Sequence, residues 1–255
     1  MALQTSHEAY DLLAIVGGDG SIPGVASGLY ERKKLGKMPL PLWIVPLGIA
    51  NVLARELKIP RRLKKILTIF SQKPDHVRFV RHFSKAKRGK SFFFKWQVRV
   101  LDAETVANVS YRLKKSLGGI AYLIALLKLL KAPLPLVHIH LKHKNISENF
   151  QASCAIFSRG SLYGGPFCIA KNQHPSSKET HLILFQASGK IAFSLSVLGA
   201  FLPFPFLKKE LFLKKIEPET ECHFLGHSAV QADGDLKGKL PALLTCAPFP
   251  LTFLH

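Results

Sequence analysis

A glycine-rich turn near the start of the chain has the composition of a phosphate-binding loop. The run Gly17-Gly18-Asp19-Gly20 follows the apolar stretch 12–16 and precedes a helical pattern that opens at Ser21. Glycine lets the main chain turn tightly and approach a phosphate, and a helix N-terminus supplies unpaired N–H groups. The pattern predicts a phosphate cradle, with the Asp19 carboxylate beside it to hold Mg²⁺ or to orient the phosphates. Similar turns occur in α/β proteins that bind nothing there, so further features are needed.

Two further segments carry residues suited to the same chemistry. The glycine-containing segment Pro46–Arg55 follows the predicted strand 42–45, one strand–helix unit after the first turn. Near the C-terminus, the segment Asp233-Gly234-Asp235 places two carboxylates on either side of a glycine. Such a turn can aim carboxylates at a reacting group, although an Asp-Gly-Asp sequence is more often only a turn.

Together the three segments resemble the diacylglycerol kinase catalytic-domain family, which comprises bacterial lipid kinases related to sphingosine kinases. The family pattern reads Gly-Gly-Asp-Gly-Thr, then Pro-x-Gly-Thr-x-Asn-Asp-x-Ala-Arg, then a late Asp-Gly-Glu. The segments 102–123 and 163–170 also look like parts of this family, so the resemblance extends from about residue 12 to the end of the chain.

The resemblance implies two domains. Residues 1–60 are expected to form an α/β nucleotide-binding domain with a doubly wound sheet, similar to those of NAD kinases and phosphofructokinases. Residues 61–255 are expected to form a β-sandwich that binds the lipid substrate, with the active site in the cleft between the domains.

The pattern of apolar residues agrees with this fold class. A strand to Val16, a helix over 24–34, a strand over 42–45 and a helix over 50–57 predict a parallel sheet, which binds ligands at the carboxyl ends of its strands. From about residue 75, short alternating segments predict mostly antiparallel strands, interrupted by two helical runs. Those strands include 77–81, 92–98 and 181–185, and the helical runs lie near 104–131 and 189–202.

By the same resemblance, the chain is an enzyme that transfers phosphate from ATP to a lipid hydroxyl such as that of diacylglycerol. Asp233 is implied as the general base that takes the hydroxyl proton, and Asp235 stands where the family usually has Glu. The implied cofactors are ATP and Mg²⁺, with no side chain assigned as a metal ligand. The implied nucleotide-binding residues are Gly17, Gly18, Asp19, Gly20, Ser21, Gly48 and Asn51.

The departures from the family pattern leave a second hypothesis open. Ile49 replaces a threonine whose hydroxyl the family uses at the nucleotide, and Val52 replaces an acidic residue. Relatives carry a strand with an Asn-Pro turn before the glycine turn, whereas only 16 residues precede Gly17 here. We therefore expect an apparently N-terminally truncated and divergent member: either the true start lies upstream of Met1, or the chain is a decayed or repurposed relative. It is either an active lipid kinase or an inactive relative that binds nucleotide or membrane.

The charge of the chain favours a polyanionic partner. Lys and Arg outnumber Asp and Glu by 36 to 16, a formal net charge of +20. This excess suits an acidic membrane surface or nucleic acid, and a merely solvated basic surface is the alternative. The basic clusters lack interleaved aromatic residues, so no specific nucleic acid is expected. We expect a lipid substrate at an anionic membrane, and a homodimer is left open.

The expected location is the cytoplasm, with peripheral attachment to the membrane. Four cysteines form no Cys-x-x-Cys pair, no secretion signal is recognisable, and no apolar run reaches the roughly 20 residues that a spanning helix needs. The aromatic, proline-broken segment 201–207, followed by Lys208 and Lys209, suits shallow membrane insertion or the end of a core helix. The alternating segment 138–143 predicts a polar strand face, which we favour there over a metal site.

Overall fold

The computed structural model describes most of the chain. The described residues are 10–37, 39–71, 77–86, 89–93, 95–98, 134–163, 167–171, 173–175, 177, 180–201, 211–233 and 235–254. The predicted helix near 104–131 and most of the proposed insertion segment lie outside these ranges.

Within the described ranges, α/β elements come first and strands dominate afterwards. In chain order they are β1 (Leu13–Gly17), α1 (Ser21–Lys34), β2 (Leu42–Pro46), α2 (Val52–Glu56), α3 (Leu63–Ser71), β3 (Val77–Ala86), β4 (Gly89–Phe93), β5 (Lys95–Val98), β6 (Val137–His143), β7 (Ile146–Ala152), β8 (Cys154–Ser158), β9 (Leu162–Tyr163), β10 (Phe167–Cys168), β11 (Thr180–Phe185), α4 (Lys190–Phe201), β12 (Leu211–Ile216), β13 (Glu221–Leu225), β14 (Ala229–Ala232), β15 (Asp235–Lys239) and β16 (Ala242–Leu254).

The chain divides into two compact units whose boundaries differ from the single one predicted after residue 60. The first unit takes Met1–Lys95, Arg159–Thr180 and Leu244–His255, and the second takes Trp96–Ser158 and His181–Leu243. The C-terminal strand belongs to the first unit because its last residues pair with β2, which a boundary drawn along the sequence cannot capture.

The first unit is built on a parallel pair of strands. Strand β1 runs parallel to β2, with Ile15 opposite Ile44, and the end of β16 lies parallel to β2, with Phe253 opposite Leu42. Strands β3 and β4 extend the sheet in antiparallel order. One face of α1 packs on this sheet, since its buried residues recur at helical spacing. The core cluster combines Ile15, Ile22, Ala26, Leu29, Leu42, Ile44, Leu53, Ala54, Leu57, Ile59, Leu251 and Phe253.

Local backbone geometry explains where the two helices near the site begin and end. Helix α1 begins at Ser21, three residues before the predicted start at residue 24. Pro23 is compatible with the first turn, because amides of a first turn have no partner inside the helix and proline has no N–H group. Helix α2 begins only at Val52, because Asn51 has a left-handed conformation with φ of 45°. Lys58, with φ of 57°, is also left-handed and lies just beyond the end of α2.

The second unit is mostly β, as predicted. Its strands form one six-stranded sheet in the order β12-β11-β8-β5-β14-β15, and β13, β6 and β7 pair antiparallel. Strand β8 is buried along its whole length, whereas β6 alternates between buried and more exposed residues. His138 and Lys142 are exposed, so the predicted polar strand face is confirmed. In the part of the chain that is described, no three His, Cys, Asp or Glu side chains form a metal-binding group.

The predicted helix 189–202 is confirmed as α4, over Lys190–Phe201. Among the helices of the described ranges, none combines the length and the apolar character that crossing a membrane requires.

We expect the Phe253→Ala substitution to lower the free energy of unfolding by about 3–5 kcal/mol, because it leaves a cavity at a ring that is 0% exposed. The matched control is Ile191→Ala, at a side chain that is 73% exposed, which should change the free energy by less than about 0.5 kcal/mol. Urea unfolding measures both. Equal effects would contradict the placement of the C-terminal strand in the core of the first unit.

Candidate functional site

The glycine turn leaves backbone donors available at the carboxyl end of β1. Its hydrogen bonds run from the amide of Ser21 to the carbonyl of Gly18, at 3.1 Å, and from the amide of Ile22 to the carbonyl of Asp19, at 3.3 Å. Within the described part of the chain, the amides of Gly18, Asp19 and Gly20 donate no main-chain hydrogen bond in this turn. Successive amides at the start of a helix can bind an anion.

A second loop, residues 46–51, packs directly on the glycine turn. The amide of Leu47 donates to the carbonyl of Gly17 at 3.0 Å. A Cβ atom added at Gly48 would lie 2.5 Å from the Cα atom of Gly18, and one added at Gly18 would lie 3.1 Å from the Cα atom of Gly48. The two backbones are therefore in contact, and only glycine fits at Gly48 without displacing main chain.

Asn51 closes this second loop from within. Its side chain is 2% exposed, and its amide nitrogen Nδ2 donates to the carbonyl of Gly48 at 2.5 Å and to that of Pro46 at 3.3 Å. Asparagine is among the residues that adopt the left-handed conformation most readily, which this position requires. The sequence pattern identified Asn51, and its structural contribution is to fix the shape of the loop.

The Asp19 carboxylate joins the two loops. Its Oδ2 atom accepts a hydrogen bond from the amide of Val52 at 3.0 Å, and its Oδ1 atom accepts one from the amide of Leu53 at 3.2 Å. These are the first two amides of α2, which have no partner inside the helix, and a negative charge is favourable at a helix N-terminus. Asp19 thus caps a helix 33 residues away, a role that the sequence prediction did not include.

Two arginines also donate hydrogen bonds to carbonyls of the second loop. The Nε atom of Arg55 donates to the carbonyl of Ala50 at 2.7 Å, and a terminal nitrogen of Arg61 donates to the carbonyl of Gly48 at 3.3 Å. Both guanidinium groups add positive charge beside the glycine turn. The surroundings of the turn therefore favour an anion.

Glu56 fixes the other end of α2 and was not singled out in the sequence. Its side chain is 8% exposed, and its Oε1 atom accepts a hydrogen bond from the amide of Leu162 at 2.7 Å. The main-chain oxygen of Glu56 lies 3.0 Å from the Nε2 atom of His174. These contacts attach segment 159–180 to α2 within the first unit. No sequence signal reveals them, because Leu162 lies 106 residues beyond Glu56.

The two predicted catalytic carboxylates share one hairpin of the second unit. Ala232 pairs with Asp235, so Asp233 lies in the turn between β14 and β15. Asp233 is left-handed, with φ of 48°, as the first central position of a tight hairpin turn requires. The Asp235 side chain is 58% exposed and lies 3.4 Å from the Lys237 ammonium nitrogen. The predicted nucleotide residues, by contrast, all lie in the first unit.

We expect the Gly48→Ala substitution to destabilise the protein by about 1–3 kcal/mol, because the added methyl group must push the two loops apart. Gly24→Ala is the control, since a Cβ atom there meets nothing within 4 Å, and it should stabilise α1 by about 0.5–1 kcal/mol. Chemical denaturation measures both. A neutral effect of Gly48→Ala would contradict the contact between the two loops.

The Asp19→Asn substitution should lower the free energy of unfolding by about 1–2 kcal/mol, because an amide nitrogen replaces one of two acceptors at the start of α2. Asp11→Asn removes the same charge at an exposed position and should have an effect below about 0.5 kcal/mol. If the two variants unfold at the same urea concentration, Asp19 does not join the loops as described.

Sequence comparisons identify relatives among lipid kinases. Residues 1–81 match the family model described as the diacylglycerol kinase catalytic domain. A Pseudomonas savastanoi pv. phaseolicola protein named "Probable lipid kinase YegS-like" is 33% identical over 107 residues, which is 42% of this chain and 32% of the relative. A Staphylococcus aureus (strain JH9) diacylglycerol kinase is 28% identical over 127 residues, covering 48% of this chain and 36% of the relative. The matched stretch therefore spans about a third of the length of these relatives.

Solved structures support the fold over nearly the whole chain. Two crystal structures of Bacillus anthracis proteins assigned as diacylglycerol kinases have TM-scores of 0.72 and 0.65, at 19% and 17% identity, and each likeness covers 96% of this chain and 76% of the other. The predicted fold class, an α/β part followed by a mostly β part, is confirmed. The chain therefore resembles the diacylglycerol kinase catalytic-domain family in sequence over residues 1–81, and it shares the fold of the solved structures assigned as diacylglycerol kinases.

Proposed function

We propose that this protein is an ATP-dependent lipid kinase that transfers the γ-phosphate to a lipid hydroxyl, such as that of diacylglycerol. The observation that carries the proposal is the group of amides at Gly18, Asp19 and Gly20, which are held beside the second loop by the Asp19 carboxylate. A rigid set of backbone donors at the start of a helix suits the phosphates of a nucleotide. The family match over residues 1–81 supports phosphoryl transfer as the reaction.

In this proposal, the nucleotide residues divide into donors and residues that hold the donors in place. The amides of Gly18, Asp19 and Gly20 and the exposed Ser21 hydroxyl donate to phosphate oxygens. The remaining residues shape the loops. Gly48 allows the close approach of main chain, and Gly17 leaves room for the Ser21 side chain. The side chains of Asp19 and Asn51 hold the second loop.

Mg²⁺ would arrive with the nucleotide in this proposal. Both Asp19 oxygens already accept hydrogen bonds from α2, and the described residues contain no group of three metal-ligating side chains. Mg²⁺ commonly keeps several waters and binds through substrate phosphates with one or two carboxylates, so it does not require a cage of protein ligands.

Asp233 is the proposed general base. The lipid hydroxyl oxygen forms a bond to the γ-phosphorus, the bond from that phosphorus to the bridging oxygen breaks to release ADP, and the hydroxyl proton passes to the Asp233 carboxylate. Asp235, on the same hairpin, adds a second negative charge next to this base.

The acceptor lies at an anionic membrane surface, where the net charge of +20 favours peripheral attachment from the cytoplasm.

One observation favours a catalytically inactive relative as the second candidate. Ile49 is 52% exposed at the tip of the second loop, and it offers no hydroxyl where the family has threonine. A protein with this loop could retain nucleotide or membrane binding without phosphoryl transfer.

Labelled Mg-ATP and a panel of lipids in mixed micelles test the kinase activity. We expect diacylglycerol or a related lipid alcohol to be phosphorylated, and the Asp233→Asn substitution to lower kcat by about 10²–10⁴-fold through loss of the base. Asparagine tolerates the left-handed turn, so the thermal midpoint should stay within a few degrees of the wild-type value.

Lys237→Gln on the same hairpin is the matched control, and it should retain kcat within about threefold, because it changes a charge without touching the base. Absence of lipid phosphorylation by a folded protein that still binds ATP would favour the inactive relative. Full activity of Asp233→Asn would remove Asp233 from the mechanism.

A further inference from the structure

Helix α3 exposes leucines that a helix packed only on its own core would bury. Leu63 and Leu67 are 58% and 56% exposed, whereas Ile66 between them is 2% exposed. Residues four apart lie above one another on a helix, so the two leucines form one apolar strip next to the buried face. This strip faces solvent in the isolated chain.

Basic side chains surround the strip. Arg61, Arg62, Lys64 and Lys65 are all exposed, and residues 61–71 contain no Asp or Glu. Four positive charges therefore lie within five positions and are interleaved with exposed leucine. Lysine and arginine stems lie readily along an apolar boundary while their charged groups reach phosphates.

The strip continues toward the candidate phosphate site. Arg61 donates to the carbonyl of Gly48, so the start of α3 lies against the second loop of the site. That loop exposes two more apolar side chains, Leu47 at 67% and Ile49 at 52%. The basic-leucine surface is defined here as Leu47, Ile49, Arg61, Arg62, Leu63, Lys64, Lys65 and Leu67.

We propose that the basic-leucine surface docks the protein on an anionic phospholipid bilayer. The leucines enter the boundary between headgroups and acyl chains, and the arginines and lysines contact lipid phosphates. Exposed leucines add nothing to binding a nucleic-acid backbone, which uses charge and, for single strands, aromatic side chains on which bases stack. Charge complementarity together with the apolar strip therefore favours a membrane as the occupant.

The docking proposal rests on the proposed kinase function in one respect: the purpose of docking is to bring the phosphate site close to a lipid acceptor. Binding itself requires neither ATP nor turnover. Most of the predicted insertion segment at 201–207 lies outside the described residues, and docking through α3 does not depend on it.

Vesicle co-sedimentation without nucleotide tests the docking. The wild-type protein should bind phosphatidylserine-rich vesicles and should bind pure phosphatidylcholine vesicles much more weakly. Leu63→Gln with Leu67→Gln should weaken binding about tenfold or more through loss of the apolar strip, because glutamine keeps the helix but does not enter lipid. Lys64→Gln with Lys65→Gln should weaken vesicle binding about 25-fold, because each positive charge near an anionic surface contributes about fivefold.

Two control pairs make the same chemical changes elsewhere. Ile146→Gln with Leu225→Gln replaces exposed apolar residues of the second unit, and Lys142→Gln with Lys239→Gln removes two exposed lysines there. Both pairs should bind vesicles within about twofold of wild type. Losses in the lysine control equal to those in the α3 lysine variant would overturn the proposal, because they would indicate attraction by net charge alone.

Other outcomes also overturn the proposal. Wild-type binding by the α3 variants would exclude the basic-leucine surface. Tighter binding to RNA or DNA than to vesicles, lost in the same variants, would assign the surface to nucleic acid. Dimers of the wild type that dissociate in the leucine variant would assign it to a second copy.

Activity assays separate failure of this proposal from failure of the kinase function. The α3 variants should phosphorylate monomeric short-chain diacylglycerol at the wild-type rate and lose turnover on vesicle-embedded diacylglycerol. A wild-type protein that docks as described and phosphorylates neither would support the docking surface while contradicting the kinase proposal. An active protein whose α3 variants work equally well on both substrates would contradict the docking alone.

Discussion

The hydrogen bonds between the Asp19 carboxylate and the first two amides of α2 are the contact on which the candidate site depends. They connect the turn after β1 to the loop after β2, so that two neighbouring carboxyl ends of the parallel sheet act as one structure. The contact is favourable for both groups, because the carboxylate accepts hydrogen bonds from amides that have no partner inside the helix. The carboxylate also lies at the positive end of the helix dipole. Without this contact, the Asp19 side chain would not connect the glycine turn to the start of α2.

Two further features hold the site in place: the close approach of the two loop backbones and the hydrogen bond at the far end of α2. Gly18 and Gly48 bring two backbones into contact, and Asn51 fills the space that the second loop encloses. At the far end of α2, Glu56 accepts a hydrogen bond from the amide of Leu162, so the helix that Asp19 caps cannot shift freely. A rigid set of donors costs little reorganisation when an anion binds, which is the property that phosphoryl transfer requires.

The sequence predicted what depends on local periodicity and turn chemistry. It identified β1, β2, α4 and the turn at Asp233, because these follow from apolar spacing and from residues that favour tight turns. It did not reveal the cap formed by Asp19 or the contact made by Glu56, since both join residues far apart in the chain. The return of Phe253 to the first sheet was missed for the same reason. Such pairings depend on tertiary packing, and a local sequence pattern carries no information about it.

The central claim is that the amides of the glycine turn bind nucleotide phosphates, and amide-resolved NMR during titration of the full chain with ATP tests it most directly. We expect the largest shifts at the amides of Gly18, Asp19 and Gly20, weaker ones at Gly48 and Asn51, and much smaller changes with adenosine, which lacks phosphates. Unchanged amides at the glycine turn under saturating ATP, or equal responses to ATP and adenosine, would contradict the account.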